Sequence, residues 1–306
     1  MKKNWINSFT IAIGLTLASL YIYTLDLPLF HLLELKSYDF KVRARGERPI
    51  TDQVVIVAVD EKSLKEKGRW PWPRTYMADL VDKISGAGAA VIGFDILFPE
   101  PDSYIPFQAV QEAVKKKDLT NINSESLMQW MHEVGDSDRL FAESILKSEK
   151  VVLGYFVYAE GDRSGDIDEK LTAQQMEMLD FSQYPITQRF DKPGDEVPLR
   201  VMQSAGLSIP AFVDAANSVG YVSFVAEVDG VVRWVPMVMQ LGDYLFPPFS
   251  LQMLREATML PLAVRIAPFG IDDLKLGETV FPTSQSGDYL INYYGPAYTF
   301  THYSAS

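Results

Sequence analysis

The chain has 306 residues, of which 47% are hydrophobic, and 40 acidic residues against 28 basic ones give a net charge of −12. Binding to phosphate backbones needs clustered Lys and Arg, so this charge argues against a nucleic-acid partner. With no cysteine and only three histidines, all far apart, the sequence excludes disulfides and thiolate catalysis and offers no pattern for a histidine-based metal centre.

The first predicted element is an uncharged, mostly apolar segment over residues 5–25. A helix of about 20 residues spans roughly 30 Å, which is the thickness of the hydrocarbon core of a bilayer. Lys2 and Lys3 precede the segment and Asp26 follows it. By the positive-inside rule, this flanking charge keeps the N-terminus in the cytoplasm.

We therefore expect a cytoplasmic N-terminus over 1–4, a transmembrane helix over 5–25 and an extracytoplasmic domain over 26–306. The expected location is the bacterial cytoplasmic membrane, with the bulk of the chain on its outer side. A cleaved signal peptide is the alternative, because small residues occur near Ala18. The apolar run continues beyond that point, which is longer than a signal peptide requires.

The next elements change from helical to strand-like patterns. Residues 28–45 have apolar side chains near helical spacing, whereas 53–59 (QVVIVAV) is a β-branched run that predicts a strand buried on both faces. A short helix over 61–67 follows, with Asp60 as its N-cap and Gly68 as its end.

The stretch GRWPWPR over 68–74 comes next. Trp70 and Trp72 each precede a proline, which favours extended conformations. Pro73 is suited to the first turn of a helix, and the helix that it starts is predicted to end near Gly86 or Gly88.

Further strands and helices alternate after this helix. Residues 89–98 predict a second buried strand, so that 53–98 forms a β-α-β unit with parallel strands. A helix over 138–147 and a strand over 150–158 continue the pattern, and 103–135 is predicted to be a helical insertion.

The C-terminal half has the patterns of antiparallel structure. Residues 160–200 are polar and predict a long surface excursion outside the core. Strands over 220–228 and 231–241 flank Asp229-Gly230, a strong hairpin signal. The fold class predicted is α/β with a mixed sheet, parallel β-α-β repeats in the N-terminal half and an antiparallel hairpin in the C-terminal half, preceded by a transmembrane helix. The remaining predicted elements are a helix over 248–258 and strands over 263–267 and 289–294.

Carboxylates follow two of the predicted parallel strands. Asp60 and Asp95 lie at the strand ends where open α/β sheets bind ligands, and Glu100 and Asp102 add oxygen atoms nearby. These four residues are the candidate ligands of a divalent cation such as magnesium or calcium, and no other cofactor is expected. In the alternative interpretation, Asp60 only caps a helix and Asp95 pairs with a nearby arginine such as Arg74.

The aromatic and cationic residues of GRWPWPR also have two interpretations. They form either a rigid corner of the fold or a cleft that binds an anionic ligand. In the cleft, Arg69 or Arg74 would meet the ligand, and Trp70 or Trp72 would stack on it.

Sequence patterns of catalysis are missing. No GxSxG, P-loop or GxGxxG occurs, so we expect a protein without catalytic residues. Two alternatives stay open, which are an exported acidic hydrolase with paired carboxylates and a structural or assembly protein of the cell envelope.

Six motifs occur along the chain in this order: VVIVAVDEKSL, GRWPWPR, GAGAAVIGFDILFPEPD, DSDRLFAESILKSEKVVLGY, VDGVVRWVPM and YLINYYGP. Over about residues 30–300, they resemble the CHASE2 family of extracytoplasmic sensor domains. The resemblance implies a membrane-anchored receptor that senses an unknown small-molecule or envelope signal. It also implies further transmembrane helices and a cytoplasmic output, such as an adenylate or guanylate cyclase or a kinase.

Signal transmission suggests a partner as well as a membrane. A stimulus outside acts inside by biasing an element that crosses the bilayer. The apolar stripe of Leu29, Leu32 and Leu33 is rich for a solvated helix, so we expect the chain to form a homodimer through it.

Overall fold

The computed structural model describes residues 8–25, 28–102, 136–158, 169–192, 194–224 and 226–306. It divides into two compact units. The first unit comprises Met1–Val57 and Asn292–Tyr303, and the second comprises Ala58–Ile291 and Ser304–Ser306.

The first unit contains the two N-terminal helices. Helix α1 spans Ser8–Thr24, and none of its residues is buried. Helix α2 spans Pro28–Arg45, as predicted, and buries only Leu35. Strand β1 (Val55–Ala58) pairs with the last strand, β15 (Thr301–Ser304), in a two-stranded sheet.

Helix α1 lies inside the predicted transmembrane segment. Among the residues that the structure describes, no single helix is long and apolar enough to cross a membrane, but α1 and α2 meet the length and composition criteria together as a bent pair. The flanking residues Lys2, Lys3 and Asp26, and the first three residues of the predicted segment, lie outside the described residues. The transmembrane helix therefore stays a prediction.

The second unit begins with alternating helices and strands. Helix α3 is capped as predicted, because the Asp60 side chain accepts a hydrogen bond from the Ser63 N–H, and Gly68 ends the helix at φ +94°. The bounds are α3 Glu61–Lys67, α4 Arg74–Gly86, β2 Ile92–Phe94, α5 Ser137–Ser148 and β3 Val151–Tyr158.

One parallel β-α-β unit is confirmed here, but it is not the unit predicted over 53–98. Strand β2 pairs with β3 in parallel, with α5 between them in sequence. Strand β1 instead pairs with β15, and its four residues are exposed or half-buried. The prediction that 53–59 is buried on both faces is therefore wrong, because a two-stranded sheet cannot cover a strand as a central position does. The predicted insertion over 103–135 lies outside the described residues.

The core of this region is aromatic. Phe94, Phe98, Phe141 and Phe212 pack edge to face, with centroid distances from 4.9 to 6.0 Å. Helix α5 contributes Phe141 through its apolar stripe, and its first turn is capped by Asp136. Edge-to-face rings stabilise a core beyond their buried area.

The rest of the second unit forms several smaller sheets. The first elements are α6 Glu169–Leu179, β4 Ile186–Arg189, β5 Arg200–Val201, β6 Ser204–Gly206, α7 Pro210–Ala215 and β7 Ser218–Tyr221. The later ones are β8 Trp234–Pro236, β9 Met239–Leu241, β10 Tyr244–Phe246, α8 Phe249–Thr258, β11 Leu262–Ala267, β12 Gly270–Leu276, β13 Thr279–Val280 and β14 Asp288–Leu290. Strand β7 pairs with β3 in parallel, and β6 pairs with β3 antiparallel. The strand orders of the other sheets are β10-β9-β5, β13-β12-β11-β4 and β14-β8.

Two predictions for this half are wrong in part. The segment 160–200 is not only a surface excursion, because Leu179 and Tyr184 are buried in the core and β4 pairs with β11. The strands on either side of Asp229-Gly230 do not pair with each other in the predicted hairpin. Strand β7 pairs with β3, and β8 pairs with β14. Antiparallel hairpins do occur, between β9 and β10 and between β11 and β12.

Candidate functional site

Asp60 is held by hydroxyl and backbone donors. Its carboxylate accepts hydrogen bonds from the Ser63 N–H at 2.8 Å, the Ser63 Oγ at 2.7 Å and the Ser304 Oγ at 2.7 Å. The bond from the Ser63 N–H, followed by those of the two hydroxyls, lowers the pKa of Asp60 to about 2. Its role as a helix cap is confirmed, whereas its role as a cation ligand stays a prediction.

Arg74 lies among protein groups and is only 8% exposed. Its guanidinium carbon is 4.5 Å from the centroid of Phe98 and 5.9 Å from that of Phe212. Nη2 donates to the carbonyl oxygen of Glu100 at 3.2 Å, and Nε lies 3.4 Å from Oδ1 of Asp138. The carboxylate partner of Arg74 is therefore Asp138, and the alternative in which it pairs with Asp95 is wrong.

Asp102 joins the same network. Its Oδ2 accepts hydrogen bonds from the Arg74 N–H at 3.0 Å and from the Ser137 hydroxyl at 2.7 Å. Its own N–H donates to Asp138 Oδ2 at 2.8 Å. The structure thus brings Arg74, Glu100 and Asp102 together, in contacts that link the start of α4 to the start of α5.

The tryptophans of GRWPWPR pack against each other. Trp72 is 3% exposed, and its indole N–H donates to the carbonyl oxygen of Gly68 at 2.9 Å. Trp70 is half-buried and meets Trp72 edge to face at 5.7 Å, while Arg69 is exposed. This burial of Trp72 agrees with the rigid corner. Ligand binding by Arg69, Trp70, Trp72 or Arg74 stays a prediction.

Asp60 and Asp95, two of the candidate cation ligands, follow strands that belong to different sheets. Asp95 directly follows β2 and is exposed. Because β1 and β2 belong to different sheets, the common sheet edge expected for Asp60 and Asp95 does not exist. Over the part of the chain that the structure describes, no group of three or more His, Asp or Glu residues could hold a metal ion.

A polar pocket of about 290 Å³ lies elsewhere in the second unit, and we call it the Asp288 pocket. Strands β8 and β14 pair antiparallel, with Asp288 opposite Pro236 and Leu290 opposite Trp234. Residues that alternate along paired strands share a face, so Asp288, Pro236 and Trp234 face the same side. The lining residues are Arg200, Ala226, Glu227, Trp234, Pro236, Ser284, Ser286 and Asp288.

A bidentate ion pair forms one wall of the Asp288 pocket. Arg200 donates from Nε to Asp288 Oδ1 at 2.7 Å and from Nη2 to Oδ2 at 2.9 Å. This hydrogen bonding raises the pKa of Arg200 above its usual value. Ser286 donates to Asp288 Oδ2 at 2.8 Å, and the Asp288 N–H donates to Ser284 Oγ at 3.0 Å.

The turn that carries Glu227 is anchored by a buried arginine. The Glu227 N–H donates to the carbonyl oxygen of Val231 at 3.0 Å, which closes the turn at Asp229-Gly230. Arg233, 1% exposed, donates to both carboxylate oxygens of Asp229 at 2.9 Å. The sequence predicts this turn but not the ion pair, for which the spacing of four residues across the turn is the available signal.

A second set of contacts lies within the first unit, and we call it the α2 clamp. Arg45, in the last turn of α2, donates from Nη1 to Asn292 Oδ1 at 2.7 Å and from Nη2 to the carbonyl oxygen of Tyr293. The Arg48 N–H donates to the carbonyl oxygen of Tyr294 at 2.8 Å, and the Arg48 guanidinium lies 5.0 Å from that ring's centroid. The end of α2 is therefore bound to residues 292–294.

The chain matches a family of known domains. A family model described as the CHASE2 domain matches residues 12–306, which is nearly the whole chain. No curated protein and no solved structure matches this chain. The resemblance found in the sequence motifs is thereby confirmed.

Proposed function

The chain belongs to the CHASE2 family, which consists of extracellular sensory domains, and we propose that it is the signal-sensing part of a membrane-anchored receptor. In this proposal residues 26–306 lie outside the bacterial cytoplasmic membrane, and residues 5–25 anchor them. The chain itself performs no catalysis. It relays its signal to a cytoplasmic adenylate or guanylate cyclase or to a kinase.

The α2 clamp is the observation that carries this proposal. A receptor transmits a signal by shifting an element that enters the membrane. Helix α2 directly follows the predicted membrane segment, and Arg45 at its end binds Asn292 and Tyr293. A displacement of residues 292–294 would therefore act on α2, and through it on the membrane segment.

Substitution of Arg45 tests the relay. Arg45→Ala removes both side-chain bonds of the clamp, so we expect the basal cyclase or kinase output of the intact receptor to change at least about fivefold, the low end of allosteric coupling. Lys41→Ala is the matched control, because it removes a positive charge from an exposed position of the same helix. Equal output from wild type and Arg45→Ala would overturn the relay through the clamp.

Cysteine labelling tests the location of the domain. The chain contains no cysteine, so a single introduced thiol reports one position. We expect a membrane-impermeant maleimide to label Asp95→Cys in intact cells, because this position is exposed, and to label Lys2→Cys only after lysis. The opposite labelling pattern would contradict the extracytoplasmic location.

The expected homodimer is also part of the proposal. Leu29 and Leu33 are 62% and 56% exposed on α2, a surface that a second copy would cover. We expect Leu33→Cys to form a disulfide-linked dimer in membranes and Glu34→Cys, on another face of the helix, to form much less. Equal crosslinking at both positions would contradict a dimer through this stripe.

A further inference from the structure

A second pocket lies beside the α2 clamp, and we call it the Arg43 pocket. One of its walls comes from the end of α2 and the residues that follow it, over 42–47, and the other comes from residues 293–296. Both walls belong to the first unit. The volume of about 480 Å³ is within the range of small-molecule sites.

Hydrogen bonds fix the two walls of the Arg43 pocket. The α2 clamp joins them through Arg45 and Arg48. On the α2 side the chain turns at Gly46, which has a φ of +76° and whose N–H donates to the carbonyl oxygen of Arg43 at 3.1 Å. The pocket is therefore formed before any ligand binds, and a ligand held in it contacts both sides of the clamp.

Part of the pocket surface is apolar. Val42 on α2 is half-buried, and Tyr293 and Pro296 on the opposite wall are exposed. Removing apolar surface from water is the main driving force for the binding of organic molecules. These side chains therefore favour a ligand with an apolar body over a bare inorganic ion.

Arg43 adds a positive charge to the lining, and its side chain is exposed. Over the described part of the chain, its guanidinium has no hydrogen-bond or ion-pair partner. The carboxylate one turn earlier, Asp39, lies 3.8 Å from Nζ of Lys36. The N–H donors of Arg43 can therefore bind a carboxylate side by side without breaking an ion pair of the protein.

The lining also contains a carboxylate, Glu47, but nearby guanidiniums outweigh it. Arg45 donates to an amide oxygen and to a carbonyl oxygen, and Arg48 lies over the ring of Tyr294. These partners are uncharged, so both arginines keep their positive charge. Together with Arg43 they make the potential at this end of α2 positive, which favours an anionic ligand.

From the charges and the apolar wall together, we propose that the Arg43 pocket binds a small organic carboxylate. Arg43 is its counter-ion, and Val42 and Pro296 contact its apolar body. The biological meaning of this site rests on the proposed sensory function, because a carboxylate bound between α2 and residues 293–296 would be the signal that shifts the α2 clamp.

Calorimetry on the full chain tests the proposal with two carboxylates and their neutral amides, benzoate against benzamide and cyclohexanecarboxylate against cyclohexanecarboxamide. The members of each pair have nearly the same shape and differ in charge. We expect each carboxylate to bind about fivefold more tightly than its amide, as gain of an accessible ion pair does. Benzamidine, a cation of similar shape, should bind no better than benzamide, and inorganic phosphate should bind more weakly than benzoate.

Two substitutions in the lining should change the affinity for benzoate in opposite directions. Arg43→Gln should weaken binding about fivefold, because it removes the counter-ion. Glu47→Gln should strengthen binding about twofold, because it removes a charge that repels an anion. Lys41→Gln is the matched control for Arg43→Gln, since it removes the same charge from an exposed position of the same helix outside the lining, and its effect should be below about twofold.

Several results would each overturn the site. They are equal binding of carboxylates and amides, no binding of either carboxylate, phosphate binding as tight as that of benzoate, and equal effects of Arg43→Gln and Lys41→Gln. Weaker binding of benzoate to Glu47→Gln would contradict the positive potential. Calorimetry requires no receptor output, so a failure of this site and a failure of the proposed relay are distinguishable.

Discussion

Arg233 and Arg74 are both buried in the described part of the second unit, and their surroundings differ. Arg233 makes two hydrogen bonds of 2.9 Å to the carboxylate of Asp229, four residues earlier. Arg74 stands 3.4 Å from Asp138, far along the chain, with its guanidinium over the ring of Phe98. The charge of Arg233 is therefore balanced by hydrogen bonds to a residue nearby in the chain. The charge of Arg74 is instead stabilised by contacts with residues from distant segments.

The geometry of the two ion pairs implies different energetics. Within the described residues, neither Arg74 Nε nor Asp138 Oδ1 has a hydrogen-bond partner, although the two atoms approach to 3.4 Å. That pair is a charge contact without directed bonding, and the aromatic faces share in stabilising the guanidinium. We therefore expect the Arg233 region to depend on its carboxylate more strongly than the Arg74 region does.

The largest effect is expected from Asp229→Asn. The substitution keeps the turn and one acceptor oxygen but removes the charge opposite a guanidinium that is 1% exposed. Breaking a buried pair by removing one partner costs about 3–5 kcal/mol, and because Asn keeps one bond we expect the free energy of unfolding to fall by about 3 kcal/mol. Urea denaturation measures this change.

Asp214→Asn is the matched control for that variant, because Asp214 is exposed on α7. Its effect should stay within about 0.5 kcal/mol. A loss below about 1 kcal/mol for Asp229→Asn would mean that the carboxylate charge is not what holds Arg233.

A smaller effect is expected from Asp138→Asn. Arg74 keeps its contact with Phe98 and its bond to the Glu100 carbonyl oxygen, so we expect a loss of about 1 kcal/mol in the same urea assay. Asp82→Asn is the control, because Asp82 pairs with Lys147 only at 3.9 Å and is half exposed. If Asp138→Asn lowered the free energy of unfolding as much as Asp229→Asn does, both arginines would depend equally on their carboxylate partners.

The helices could be predicted from the sequence because their signals are local. Asp60 starts α3 and Gly68 ends it through hydrogen bonds to residues three or four positions away. The apolar stripe of α5 is formed by residues of that helix alone. Strand partners carry no such signal. The run that forms β1 reads as a central strand, yet its partner is β15, at the other end of the chain.

The candidate site was less predictable for the same reason. The sequence predicts that the carboxylates after β1 and β2 share one sheet edge, but the two strands belong to separate sheets. The Asp288 pocket combines Arg200 with residues near 227, 234 and 286, none of which forms a motif alone. Of the features that form this pocket, the sequence predicts only the turn at Asp229-Gly230, next to the lining residue Glu227.

The carboxylate of Asp60 is bound by Ser63 and Ser304, not by an arginine. Its pKa is about 2 in the folded chain, below its usual 3.8, so the stabilisation is complete above pH 3.8 and is lost as the pH falls toward 2. We expect the stability difference between wild type and Asp60→Asn to shrink over this interval in urea titrations at graded pH. A difference that stays constant across it would show that the charge of Asp60 contributes nothing.

The smallest effect is expected where the Arg233 geometry recurs near the surface. Arg189 donates from Nε and Nη2 to the two oxygens of Asp191 at 3.1 and 2.8 Å, but its side chain is 37% exposed. A double-mutant cycle with Arg189→Gln and Asp191→Asn should give a coupling energy of about 0.5 kcal/mol that decreases in high salt. Since two short bonds join the partners in both pairs, a coupling energy near 3 kcal/mol would mean that bidentate geometry, and not burial, makes the Arg233 pair strong.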